Sequence, residues 1–250
     1  MSNNLKNSGD EAEFAKPLYV PIKRRSFFMY AGATAGATAL LLSGCDDDDS
    51  GGTSMPGAVN LGSGDVGVLN YAYALEQLEA AFYAQVVGNA AFATAFPNAD
   101  ERTALMAIAK HEAIHRDFFK TAITAAAATQ IIPGLTPKWG NLNFGDRTQV
   151  LNTAKTFEDL GVAAYNGAGS LIKSDDYLLI AGKIVSVEAR HAALIRDLIT
   201  FNSFVADDVV DFSLTSATAR QEKSKSPTEV LNAANMYLAD GSKLSANSLQ

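Results

Sequence analysis

The sequence predicts an all-α protein whose main domain is a bundle of four long helices. Four stretches of the chain have helical composition and helix-start signals, and no strand pattern is longer than a few residues. The connection between the second and third stretches is too long for a tight turn, which excludes a simple up-down bundle. The pattern Glu-x-x-His also occurs twice, once in the second stretch and once in the fourth. This repetition predicts one helix-pair unit used twice.

The first two predicted helices have ordinary start and stop residues. We expect the first to cover residues 65–87, with Gly88 ending it. The second begins with Asn98 as its N-cap and continues to about Thr129.

The third and fourth helices follow a long connection over residues 131–145. This segment contains Trp139 and two of the seven prolines of the chain, and its length fits a crossover. The third helix starts at Asp146 and weakens over residues 167–173, which include two glycines. The fourth helix covers residues 174–201. We therefore place the four-helix bundle at residues 63–202.

A C-terminal extension, residues 203–250, follows the bundle. Residues 202–225 are polar and irregular in composition. The run Ser226-Pro227-Thr228-Glu229 then forms a capping box with proline at the first helical position. It predicts a short fifth helix that continues to about Ala239 and ends before Gly241.

The N-terminal segment, residues 1–44, has the features of an export signal. The run from Lys23 to Phe28, Lys-Arg-Arg-Ser-Phe-Phe, resembles a twin-arginine motif. The apolar stretch after it, residues 29–42, is shorter than the roughly 20 residues of a membrane-spanning helix. It ends in Leu-Ser-Gly-Cys, which resembles a bacterial lipobox. We therefore predict export by the twin-arginine route and lipidation of Cys45, the only cysteine.

The segment after the lipobox, residues 45–62, predicts a flexible tether. Four aspartates follow Cys45 directly, and a Ser-Gly-Gly run follows them. The expected location is therefore the bacterial cell envelope, on the periplasmic side or the cell surface, with the membrane as a partner through the lipid anchor. The formal charge of −7 argues against nucleic acid as a partner. A homodimer is compatible with this arrangement, and the sequence identifies no electron donor.

Metal chemistry is predicted by the repeated spacing of glutamate and histidine. Glu112-x-x-His115 and Glu188-x-x-His191 each place both side chains on one helical face. Two single glutamates, each followed by a tyrosine seven residues later, precede these pairs: Glu76 with Tyr83, and Glu158 with Tyr165. One glutamate on each of two helices and Glu-x-x-His on each of two others is the ligand set of a dinuclear carboxylate site. The repeat also predicts pseudo-twofold symmetry.

Burial gives an independent reason for two ions. If the apolar faces around the four glutamates point inward, four carboxylates share one interior, where uncompensated charge is costly. Two divalent cations balance four negative charges, and two neutral imidazoles complete the ligand shell. The predicted cofactors are two iron or two manganese ions. The predicted ligands are Glu76, Glu112, His115, Glu158, Glu188 and His191.

Three further residues have roles that the spacing leaves open. Glu79 lies one turn after Glu76, but alignment of the two repeats places Glu79 opposite Gly161. We therefore treat Glu79 as an alternate ligand or a neighbour of the ligands. Tyr83 and Tyr165 are candidates for catalytic residues, either as hydrogen-bond donors to ligands or as redox-active phenols. Packing in the core is an equally good explanation of both.

His111 creates an alternative, because His111-Glu112-Ala113-Ile114-His115 also matches the H-E-x-x-H helix of zinc peptidases. In that mechanism two histidines bind one zinc ion and the glutamate acts as a base. The second repeat argues against it, since Val187 stands where His111 stands in the first. His111 is then a flanking residue.

The chain resembles the ferritin-like superfamily, and within it bacterial ferritin-like domain proteins that include desiccation-related proteins. Beyond the ligands, the segments 75–83 and 161–165 carry the resemblance. It implies a ferritin-like four-helix bundle and, for an enzyme, an oxidoreductase of the peroxidase, catalase or ferroxidase kind. A stress-associated envelope protein in which the metals only stabilise the bundle is the alternative.

Overall fold

The computed structural model describes residues 57–217, 221–246 and 248–249. The predicted export signal, the lipobox with Cys45 and most of the tether lie outside the described residues. The described part is mainly helical, as the sequence predicts. Its six helices are α1 (Gly64–Gly88), α2 (Phe92–Ala95), α3 (Ala99–Ala127), α4 (Arg147–Ala168), α5 (Asp175–Ile199) and α6 (Pro227–Ala234).

Capping side chains fix where most of the long helices begin. Asn98 accepts a hydrogen bond from the Asp100 amide at the start of α3, and Asp146 accepts one from Gln149 at the start of α4. Ser226 forms the predicted capping box at α6. That helix is shorter than predicted, because the chain tightens into a 3₁₀ turn at Asn235–Tyr237 after Ala234.

The four long helices form two antiparallel pairs, α1 with α3 and α4 with α5. Near the start of α1, the amide of Asn70 donates to the carbonyl of Gln130, just beyond the end of α3, at 2.8 Å. At the start of α4, Arg147 donates to the carbonyl of Leu198, near the end of α5, also at 2.8 Å. Arg147 also forms an ion pair of 2.6 Å with Glu101 at the start of α3. The connection between α3 and α4 therefore returns along the whole bundle, which confirms the predicted crossover.

The crossover packs against one half of the bundle through aromatic side chains. The ring centroid of Trp139 lies 5.9 Å from that of Phe82 on α1 and 6.3 Å from that of Phe157 on α4. Phe144 lies 5.8 Å from Trp139 and contacts Phe82 as well. These edge and tilted contacts bury the apolar side of the crossover and fix its position on α1 and α4.

The C-terminal extension packs on the bundle and does not form a separate body. Two short parallel strands, β1 (Val59–Asn60) and β2 (Leu244–Ser245), join the two ends of the described chain. Lys225 donates its amide to the carbonyl of Ala163 on α4 at 3.0 Å, and a Cβ on Gly167 would lie 1.8 Å from the Lys225 carbonyl. Glycine at 167 is thus required by the close approach of the extension. Within the described residues, no helix combines the length and the apolar character that crossing a bilayer requires.

Candidate metal centre

The predicted ligands meet in the middle of the bundle. Helix α1 contributes Glu76 and α4 contributes Glu158, while α3 and α5 each contribute a Glu-x-x-His pair. All four glutamates have no exposed surface, and the two histidines are also buried. The helical spacing alone explains why each glutamate and its histidine face the interior together. The structure therefore brings together the six side chains that the sequence names as candidate ligands.

The side chains form two overlapping groups that could each hold one ion. The first, which we call the His115 group, consists of Glu76, Glu112, His115 and Glu188. The second, the His191 group, consists of Glu112, Glu158, Glu188 and His191. Within each group, one candidate ligand atom per residue lies within 4.8 Å of all the others. Glu112 and Glu188 belong to both groups, so their carboxylates are placed to bridge two ions.

The distances within the two groups show the predicted pseudo-twofold symmetry. His115 Nδ1 lies 2.8 Å from an oxygen of Glu188, and His191 Nδ1 lies 2.8 Å from an oxygen of Glu112. The same nitrogens lie 3.5 Å from Glu76 and from Glu158, respectively. The two halves of the centre therefore have matching distances when α1 is exchanged with α4 and α3 with α5.

The ligand atoms are close together but lack hydrogen-bond partners. In the part of the chain that the structure describes, eight buried atoms of the centre make no hydrogen bond of acceptable geometry. They are Glu76 Oε2, both oxygens of Glu112 and Glu188, Glu158 Oε2, and Nδ1 of His115 and His191. Buried polar atoms are nearly always satisfied, and an unsatisfied one costs about 1–3 kcal/mol. A cluster of such atoms with oxygen and imidazole donors fits divalent iron or manganese.

The pKa values of the metal-free centre also show that its carboxylates are not balanced by positive charge. Burial and the neighbouring carboxylates raise the pKa of Glu76 well above its ordinary value, and burial raises that of Glu158 to about 8. Burial would also raise the pKa of Glu112, but contacts with His115 and His191 outweigh it and lower the pKa to about 2. Burial lowers the pKa of both imidazoles, and their carboxylate neighbours reverse this and raise it. Protons thus occupy the centre where cations could replace them.

Two tyrosines join the halves through reciprocal hydrogen bonds. Tyr83 on α1 donates to Glu158 Oε1 on α4 at 2.5 Å, and Tyr165 on α4 donates to Glu76 Oε1 on α1 at 2.6 Å. Each bond satisfies one oxygen of a glutamate whose second oxygen is an unpaired ligand atom. Among the explanations the sequence left open, the structure shows that both tyrosines donate to the candidate ligands.

Comparison with known families agrees with this arrangement. The sequence-family model of the ferritin-like domain matches residues 64–200, more than half of the chain. The chain belongs to the ferritin-like family. No curated protein matches the chain. Family membership agrees with the helical bundle and with a buried cluster of carboxylates and histidines that could bind metal.

Glu79 is a fifth buried carboxylate of this ferritin-like domain, but it belongs to neither group. Only 5 % of its surface is exposed, and burial raises its pKa well above the ordinary value. A Cβ built on Gly161 would lie 3.1 Å from Glu79 Oε1, so the missing side chain of the glycine makes room for the carboxylate. The repeat alignment placed these two positions opposite each other, and in the fold they touch. Glu79 therefore lies beside the ligands.

His111 has a contact that the sequence did not predict. Its Nδ1 lies 2.9 Å from Nε2 of His191, on the side of the ring away from the candidate ligand atom. Spacing could not reveal this contact, because the two residues are on different helices and Val187 replaces histidine in the other repeat. Neither group of converging ligands in the described residues contains His111, so the zinc-peptidase arrangement of His111 and His115 on one ion is not formed.

Proposed function

We propose that this ferritin-like protein binds two iron or two manganese ions in its buried centre and uses them to reduce dioxygen or peroxide. The observation that carries the proposal is the pair of overlapping groups that share Glu112 and Glu188. A single structural ion needs only one group. Glu112 and Glu188 could be shared between two adjacent ions, and such a pair would supply the two electrons that peroxide reduction needs.

The protein's own residues bind, orient and shield such a pair. Tyr83 and Tyr165 each fix one oxygen of a terminal glutamate and leave the other free for a cation. His111 bonds to the outer nitrogen of His191, which keeps the inner Nδ1 available as a ligand. Phe82 and Phe157, both fully buried, exclude water from one side of the centre. A dry site strengthens the attraction between carboxylates and cations.

We further propose that the chain acts at the bacterial envelope, anchored through Cys45 after twin-arginine export. That route suits a protein that folds around its metal before it leaves the cytoplasm. Detoxification of peroxide or of metal ions at the envelope is a function that fits both the anchor and the centre. This part of the proposal depends on the leader sequence alone.

A structural role of the metals in a stress-associated envelope protein is the second candidate, and one observation favours it. The ligands come from four different helices, so two ions would link all four and stabilise the bundle without any reaction. The two candidates differ in reactivity. A stabilising centre is inert to peroxide, while a redox centre is oxidised by it.

The first test is the metal content of the purified chain beside that of a Glu112→Gln/Glu188→Gln double variant. We expect about two iron or manganese ions per chain and their loss in the variant, since both shared carboxylates are removed. Asp117→Asn, a surface change on the same helix with Asp117 63 % exposed, is the matched control. Absence of transition metal after reconstitution would refute the dinuclear centre.

Mixing the loaded protein with peroxide and following its absorbance then separates the redox role from the structural one.

A further inference from the structure

A small cavity lies at one end of the bundle, next to the metal centre. Its walls come from the first part of α1, the last parts of α3 and α4 and the first part of α5. Among the residues that line it are Leu75, Phe119, Ala122, Ala164 and Ala168. Its volume is about 20 Å³, above the ~10–15 Å³ that one water-sized molecule needs. The cavity therefore has room for a single small guest.

The lining makes a water molecule a poor guest. The walls are almost entirely aliphatic and aromatic carbon. Tyr71 is among the lining residues, only 2 % of its surface is exposed, and its hydroxyl has no hydrogen-bond partner in the described part of the chain. A buried water needs two to four polar partners, and apolar cavities with fewer stay dry. An apolar molecule loses nothing in such a cavity.

The position of the cavity connects it to the centre. Tyr165 forms part of the wall, and its hydroxyl donates to Glu76 of the His115 group at 2.6 Å. On the outer side, Tyr177, Ile180 and Ile172 line the cavity and are themselves partly exposed. A molecule in the cavity would thus lie between the partly exposed residues on the outer side and the Tyr165 ring on the side of the metal centre.

The corresponding place in the other half of the bundle is filled. Tyr83, which corresponds to Tyr165 in the repeat, packs edge-on against Phe82 at 5.1 Å, and Phe82 packs against Phe157 at the same distance. Trp139 from the crossover covers both phenylalanines. The ligand repeat therefore does not require a cavity: among the described residues, aromatic rings pack around Tyr83, whereas Tyr165 borders the cavity.

We propose that this cavity binds one small apolar molecule, dioxygen, and holds it beside Tyr165 on the His115 side of the centre. Binding of an apolar guest depends only on the cavity, whereas delivery to the metals rests on the proposed function. Peroxide is a worse guest, because its two O–H groups would lose hydrogen bonds to water without replacement in this lining. The cavity thus distinguishes the two oxidants that the centre would accept.

Xenon tests the cavity without reference to metal. In metal-free protein we expect xenon under pressure to occupy the space between Tyr71, Ala122 and Ala168, observed in crystals or by the shift of the xenon NMR signal. Ala122→Leu, a buried position in the wall, should abolish that binding by filling the space. Ala125→Leu, an exposed alanine on the same helix, should leave it unchanged. Absence of xenon in the unchanged chain, or an ordered water bonded to the Tyr71 hydroxyl, would overturn the proposal.

Oxidation of the iron-loaded protein tests delivery. We expect Ala122→Leu to slow oxidation by dioxygen several-fold while leaving oxidation by peroxide and the iron content unchanged. Equal slowing of both reactions, or of neither, would refute delivery through the cavity even if xenon binds. Failure of iron to bind at all would refute the proposed function, and the xenon result would still decide whether the cavity holds an apolar guest.

Discussion

The His115 group and the His191 group consist of the same residue types at the same spacing, but their surroundings differ. Behind the His191 group, Tyr83 is fully buried among aromatic rings, and His111 bonds to the outer nitrogen of His191. Behind the His115 group, Tyr165 is partly exposed and borders an apolar cavity. The Tyr83 side of the centre is packed with aromatic rings, and the Tyr165 side borders a cavity.

The comparison separates what the duplicated unit determines from what its surroundings determine. The candidate ligand atoms are placed by helical spacing, so each repeat of the helix-pair unit carries the same set. The crossover and its Trp139 cover only one half, because a single crossover cannot lie on both sides. We infer that the two ions would have equivalent ligands and unequal access.

The largest expected effect is the loss of one ion from one group. Glu76→Gln removes a charge from the His115 group alone, and Glu158→Gln removes one from the His191 group alone. Glutamine can still accept the hydrogen bond from the partner tyrosine, so packing is retained. Each variant should bind about one ion fewer and lose about 4 kcal/mol of metal-dependent stability when free metal exceeds Kd about 1,000-fold. Metal analysis and thermal unfolding with and without chelator measure both.

The control for these variants is the metal-free protein. Without metal, replacing Glu76 removes a carboxylate whose pKa is raised by burial, so the variant should be no less stable than the unchanged chain. A loss of stability that is equal with and without metal would mean that the glutamate supports packing and not an ion.

The pH dependence of stability should have opposite signs with and without metal. The folded-state pKa of Glu158 is raised to about 8 and those of both histidines are also raised. Groups with raised pKa values stabilise the fold at low pH and lose that contribution as pH rises toward the folded value. The melting temperature of metal-free protein should therefore fall between pH 5 and pH 8. Metal binding displaces these protons, so the loaded protein should gain stability over the same interval. Melting temperatures that change with pH in the same way with and without metal would contradict metal binding at this centre.

A smaller effect should distinguish the two tyrosines. Tyr83→Phe leaves Glu158 Oε1 without a donor in a fully enclosed place, which should cost about 1–3 kcal/mol of stability. Tyr165→Phe removes the equivalent bond to Glu76, but the ring at position 165 is partly exposed, so solvent on that side can replace the lost donor without entering the apolar cavity. Its cost should be lower. Thermal unfolding of both metal-free variants measures the difference, and equal losses would remove the distinction between the Tyr83 side and the Tyr165 side.

There is a physical reason why the sequence could pair the candidate ligands. Glutamate and histidine three residues apart must share a helical face, so Glu112 and His115 could be paired before any fold was known. The bundle and the crossover followed from capping residues such as Asn98 and Asp146 and from the length of the central connection. The short α2 helix and the β1 and β2 pairing have no comparable pattern, since each involves only a few residues.

The spacing of residues along one helix does not predict contacts between residues on different helices. The repeat has no counterpart of His111, so spacing predicts only a flanking residue there, and its bond to His191 depends on how α3 packs against α5. The repeat aligns position 79 with position 161, but the alignment does not show that Glu79 contacts Gly161 in the fold. The cavity beside Tyr165 likewise depends on side-chain volumes from four helices. Asymmetry between the halves is thus a property of packing.

The smallest effect tests that asymmetry directly, by replacing His111 with the residue that the other repeat has. When His191 Nδ1 binds a cation, its Nε2 carries the proton and donates to His111 Nδ1, which fixes the ring and makes it a better ligand. His111→Val should therefore weaken the ion of the His191 group by about tenfold. The ion of the His115 group should be unaffected. Two-step metal titration by calorimetry measures both affinities.

The reciprocal variant, Val187→His, is the matched control for this change. Val187 stands where His111 stands, so a histidine there would give the His115 group a comparable outer partner if asymmetry arises only from that residue. His111→Gln, whose side-chain carbonyl oxygen can accept the hydrogen bond from His191 Nε2, should recover part of the affinity that valine loses. A change in both affinities in His111→Val would show instead that His111 acts on the bundle as a whole, since a bond to one imidazole can orient only one ligand.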